Sequence, residues 1–239
     1  MAAAPVMIGS DNLFAAPETE ALLREELRCV GAHAARRPAG RALVVQACKA
    51  NRDLRVDTRQ LAAVRVHAQQ GRLYGDVACT AEALPWEDEA FQLVVAQHVG
   101  DVLLPPFELV DELARVLVPG GVLLWYGLNP WSPWLAWAHW RARHGMPLPH
   151  ARHIESMRRQ MSNRQLTANA ADYIGACWPP LDGLAERYSA RLLAPLRRAY
   201  LLTASKQRAV LTPLRPRAVR ERSLARPNFA GTPSRRARA

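Results

Sequence analysis

No run of eighteen consecutive apolar residues occurs in the 239-residue chain, so no membrane-spanning helix is expected. The opening MAAAPVMIGSDNLF lacks a basic segment leading into an apolar one, so no export signal is expected either. The four cysteines, Cys29, Cys48, Cys79 and Cys177, contain no CxxC pair. Without export they are expected as free thiols and the chain as cytoplasmic. His139, His144, His150 and His153 have no cysteine near them, and no metal site is expected. Acid is nearly absent from the end of the chain. From Pro213 on, eight arginines face one acid, Glu221, so this stretch holds seven of the eleven net positive charges. It is rich in Pro and Arg, without apolar periodicity, and is expected as a disordered basic tail, 213–239, after a single domain, 1–212. Such a tail can contact nucleic acid or an anionic membrane through charge alone.

What is present points to one core, since 49% of residues are hydrophobic. Pro17, Glu18 and Glu20 suit the first turn of a helix over about 17–37, with an apolar stripe at Leu22, Leu23, Leu27 and Val30. Ala42–Ala47 reads as a buried strand, residues 61–68 as a weaker one and Phe91–Gln97 as another. Val110–Val118 has helical spacing and is stopped by Pro119, Gly120 and Gly121 before a strand at Val122–Tyr126. Strand, helix and strand with short joints predict a right-handed crossover in a mostly parallel sheet. Ser132 and Pro133 suit a helix start and Gly145 a stop. Trp131, Trp134, Trp137 and Trp140 recur every three residues there, which fits a lid, a membrane-contacting helix or packing against the sheet edge. LTANAADYIGACW is expected as a helix and residues 199–206 as a late strand.

Over residues 76–127 the chain resembles the class I, or type 11, S-adenosylmethionine (SAM)-dependent methyltransferases. Leu84-Pro85-Trp86, Phe91-Gln92 and the run Arg115 to Gly121 carry the resemblance. The segments GLNPWSPW and AYLLTASK look more narrowly like a divergent bacterial branch. The resemblance implies an α/β fold with a Rossmann-like, seven-stranded sheet, mostly parallel with its last strand antiparallel and helices on both faces. It also implies SAM as cofactor, lying across the carboxyl ends of the first strands, and a methyl acceptor that the sequence does not name.

The implied cofactor residues are Gln46, Ala47, Cys48, Gln69, Thr80, Ala81 and Gln97, with His98 as the implied base beside Asp101. Four positions depart from the family. Its glycine-rich turn reads QACKAN, its ribose-binding acid is replaced near His67 and Gln69, its adenine-binding acid aligns with Thr80, and its Phe-Asp acid is Gln92. At about 1–2 kcal/mol per lost contact, three losses weaken SAM binding by roughly two to four powers of ten. Three functions follow from this reading: a divergent SAM-dependent methyltransferase, a non-catalytic relative that binds a partner, and a basic peripheral protein acting through its tail and Trp-rich helix.

Overall fold

The computed structural model describes residues 13–54, 56–104, 106–143, 148–176 and 194–207. The expected tail, His144, Gly145 and Cys177 lie outside them. Helix α1, Pro17–Ala34, has proline at its start and Glu18 and Glu20 in its first turn, where acids meet the positive end of the helix dipole. Its stripe Leu22, Leu23, Leu27 and Val30 is buried, at about 1.5–3 kcal/mol per side chain removed from water. Then come β1 (Gly40–Gln46), β2 (Leu61–Gln69), β3 (Arg72–Gly75), β4 (Phe91–Gln97), α2 (Pro106–Val116) and β5 (Leu117–Leu128). After them follow α3 (Pro133–Ala142), α4 (Ile154–Ser162), β6 (Leu166–Ala168), β7 (Asp172–Ile174) and β8 (Ala199–Lys206).

The strands form one sheet in the order β3-β2-β1-β4-β5-β8-β6, with β7 also paired to β8. The central strands β2, β1, β4 and β5 are parallel. Strand β8 runs against β5, β6 and β7, and β3 runs against β2. Among the described strands only β3 and β8 are therefore reversed, in a mostly parallel α/β sheet with a late antiparallel strand. Alternate residues serve opposite faces. Ala42 and Val44 pack with Leu22, Leu27 and Val30 of α1, while Leu43 and Val45 share a core with Leu109 and Leu113 of α2 and Met157 and Met161 of α4.

Three expectations are corrected. LTANAADYIGACW supplies β6 and β7 instead of a helix, because the free edge of β8 takes its backbone groups into ladder bonds. Helix α2 ends at Val116, and Pro119-Gly120-Gly121 lie inside β5, opposite a register shift between Phe91 and Leu93. The sheet has eight strands, and β3 is reversed because Gln70 and Gly71, both at positive φ, turn the chain back within two residues and leave no room for a crossover helix.

Candidate functional site

Strand β1 connects toward β2 on one side of the sheet, and β4 connects toward β5 on the other. Ligands of open α/β sheets bind in the crevice beyond the carboxyl ends at such a switch point. Here those ends are Gln46, Ala47 and Cys48 after β1 and Gln97 and His98 after β4, all buried. A chain of hydrogen bonds crosses the four parallel strands at this level. Arg65 on β2 donates to Gln46 Oε1 (3.0 Å), and Gln46 Nε2 donates to Gln97 Oε1 (3.1 Å). Gln97 Nε2 donates in turn to Glu26 Oε2 of α1 (2.9 Å). Glu26 Oε1 lies 2.8 Å from His98 Nε2, and His98 Nδ1 lies 2.8 Å from Asp101 Oδ2. The chain ends where Leu128 N–H of β5 donates to Asp101 Oδ2 (2.9 Å).

His98, Glu26 and Asp101 have almost no contact with solvent. Burial acts to lower the imidazole pKa, but the Glu26 charge and the hydrogen bonds to Asp101 and Glu26 outweigh it and push it up to about 9. Both ring nitrogens then carry protons aimed at carboxylates, which leaves no lone pair for taking a proton from a substrate. Burial raises the Asp101 carboxyl, opposed by its bond to His98. The backbone of His98 is left-handed, at φ 52° and ψ 11°, a conformation that few side chains adopt and that this cluster fixes. The arrangement clamps the imidazole ring between two carboxyl groups.

An apolar lid closes over it. Leu13, Phe14, Leu23, Ala47, Cys48, Leu128, Trp134 and Ala138 form one buried cluster. The Phe14 ring stacks on the His98 ring at 4.4 Å between centroids, tilted by 20°. Leu13–Ala15 is a single 3-10 turn, and the buried Thr19 hydroxyl faces the carbonyls of Leu13, Phe14 and Ala16, nearest to Ala16 at 2.7 Å. From the other side α3 inserts Trp134, which is 1% exposed. Ser132 Oγ accepts the Trp134 N–H and so caps α3 as expected, while Trp131 and Trp140 stay exposed. The Cys48 thiol touches Asn51 Oδ1 at 3.1 Å, and burial pushes its pKa up.

The structure thus brings together Gln46, Ala47, Cys48, Gln97 and His98. Gln69 is exposed at the β2–β3 hairpin, and Thr80 and Ala81 lie in the turn that bridges Thr80 to Ala83. Sequence reasoning missed Glu26, Arg65 and Phe14. Glu26 had a usable signal, since it falls in the apolar stripe of α1, three residues after Leu23 and four before Val30, where an acid is buried and needs a partner. Phe14 precedes the helix and had none.

The methyltransferase-domain family matches residues 40–125. No curated protein matches the chain. Among solved structures, a SAM-dependent methyltransferase of Thermotoga maritima is similar at 14% identity, covering 81% of this chain and 98% of that one with a TM-score of 0.49. The YcgJ protein of Bacillus subtilis is similar at 15% identity, over 77% and 98% of the two chains, with a TM-score of 0.46. The geranyl diphosphate C-methyltransferase of Streptomyces coelicolor A3(2) is similar at 13% identity, over 76% and 78%, with a TM-score of 0.45.

Proposed function

We propose, from the premise that residues 40–125 are a methyltransferase domain, that the chain is a divergent SAM-dependent methyltransferase with weakened affinity for its cofactor. The match to that family carries the reading. The methyl acceptor stays unassigned.

SAM does not fit the crevice as its residues stand. Ala47 and Cys48 put side chains where a glycine turn would let a ligand approach backbone amides. Leu13, Phe14 and Trp134 fill the space above them. The helix that would follow β1 is reduced to a five-residue 3-10 helix, Lys49–Asp53, which removes the helix N-terminus as an anion site. No reaction step is assigned to His98, whose two nitrogens are engaged.

The filled crevice favours a second reading, a methyltransferase-like protein that binds a partner without catalysis. Titration calorimetry with SAM and S-adenosylhomocysteine separates the two. Saturable binding, even at high micromolar concentration, supports the methyltransferase. Silence at millimolar ligand, with the wild-type chain and with a chain whose crevice has been opened, supports the partner-binding protein. The basic stretch from Pro213 adds a charge-driven contact to nucleic acid or anionic membrane, which rising salt would weaken steeply. Among the described residues, no helix is long and apolar enough to cross a membrane.

A further inference from the structure

The cofactor crevice is closed by a piece of the chain itself. The closing piece, Leu13–Ala15, is one turn long and joins α1 at Ala16, whose extended backbone (φ −74°, ψ 139°) precedes Pro17. Pro17 has no N–H to donate, so no helical hydrogen bond from that residue fastens the turn to α1. Among the turn's polar contacts, the Thr19 hydroxyl has one proton to share among the carbonyls of Leu13, Phe14 and Ala16, while the Thr19 N–H donates to the Ala16 carbonyl at 3.0 Å. Its side chains do the rest, with Phe14 on the His98 ring and Leu13 and Phe14 in the cluster with Ala47, Cys48 and Trp134.

The closed arrangement is also polar-incomplete. Asn51 Nδ2 and Trp134 Nε1 are buried donors with no hydrogen-bond partner among the described residues. Asn51 is 1% exposed and bonded through its oxygen to Cys48, and Trp134 is 1% exposed in the cluster itself. Both flank the crevice, and both donate. Buried donors left unpaired oppose the state that buries them.

We propose that Leu13 and Phe14 form an intramolecular plug in the cofactor crevice, and that it swings out about the Ala16–Pro17 joint to admit a ligand rich in hydrogen-bond acceptors. The proposal rests on the methyltransferase reading only for the identity of that ligand, SAM. The plug itself stands on the packing. A plug that is closed most of the time weakens apparent affinity by the fraction of open molecules, so closure in 99% of molecules costs about a hundredfold.

Cys48 lies beneath the plug, 3% exposed, and reports its position without any cofactor. The test compares the full-length wild-type chain with Phe14→Ala. It measures the N-ethylmaleimide alkylation rate of Cys48, resolved by peptide mass spectrometry, and SAM binding by calorimetry. Circular dichroism confirms that each chain is folded. The plug predicts that alkylation of Cys48 rises about tenfold or more in Phe14→Ala while that of Cys79, in another part of the core, does not. SAM binding tightens by a similar factor. Faster alkylation without SAM binding at millimolar ligand keeps the plug and defeats the methyltransferase reading. Equal alkylation rates in two folded chains overturn the plug. If Phe14→Ala does not fold, Thr19→Val replaces it, since it keeps the plug side chains and removes the Thr19 hydroxyl, with the same expectations.

Discussion

The two halves of the parallel sheet are built differently. The β4–α2–β5 half is a strand, helix, strand unit whose loop is fixed by polar side chains. Arg115 donates to Glu112, to Asp88 and to the carbonyls of Leu84 and Trp86, and Glu112 accepts the Leu84 N–H, so that two ion pairs sharing one arginine tie down the 84–88 loop. The β1–β2–β3 half has no glycine in the turn after β1, follows it with a five-residue 3-10 helix, and joins β2 to β3 by a hairpin. At the end of β1, Gln46 bonds to Asn51 and Gln97, while Cys48 and Phe14 share one buried cluster. Packing constrains a whole core, whereas a cofactor constrains a few positions.

Substitutions can break or sharpen this contrast. The largest effect is expected for Glu26→Ala, which leaves the His98 imidazolium half paired in the interior. Removing one partner of a buried ion pair costs about 3–5 kcal/mol, read as a fall in the urea midpoint. A change below about 0.5 kcal/mol would show that the cluster holds nothing.

Next is pH. The folded pKa of His98 is raised to about 9 from an unfolded value near 6.5, so its stabilisation is complete below about pH 6.5 and lost as pH rises through 9. The groups facing the ring are Glu26 and Asp101, both buried acids with an oxygen 2.8 Å from a ring nitrogen. Thermal denaturation should show a loss of up to about 3 kcal/mol between those limits. A flat profile in that range would mean that the ring is neutral.

Gly100→Ala tests the β4–α2–β5 half, because an added Cβ would sit 2.3 Å from Trp125 Cζ2. Overpacking of this kind costs about 1–3 kcal/mol, measurable as a lower melting temperature. Ala47→Gly, which puts a glycine in the turn after β1, should cost about 1 kcal/mol. It should add no SAM binding by calorimetry while Phe14 is in place. Tight binding in that variant would mean that the turn alone had excluded the cofactor. Gln69→Ala, at an exposed hairpin, should shift the urea midpoint by less than about 0.5 kcal/mol.

Much of the fold was legible because its signals are local. Phe91–Gln97 and 199–206 were readable from apolar runs, and the α1 stripe from its helical spacing. The expected helix fails over Leu166–Ala168 and Asp172–Ile174 since short strands on a sheet edge take their conformation from the neighbour, here β8. The site was only half legible. Gln46, Ala47, Cys48, Gln97 and His98 follow strands that are visible in the sequence, so their meeting could be foreseen from topology. What each one touches could not. His98 reads as a free base until Glu26, on a helix 72 positions earlier, is placed against it. Phe14 has no periodicity to mark it, and its role appears only once the chain has closed.

The clamp on His98 also has a consequence for how fast the molecule comes apart. Its two ends lie 72 residues apart in sequence, so the bond between Glu26 and His98 requires both α1 and the end of β4 to be in place. Closing so long a loop is expected late on the folding route, beyond the rate-limiting step. Weakening such a late bond leaves refolding almost unchanged and speeds unfolding instead. The Glu26–His98 contact therefore acts as a latch on the lifetime of the native state.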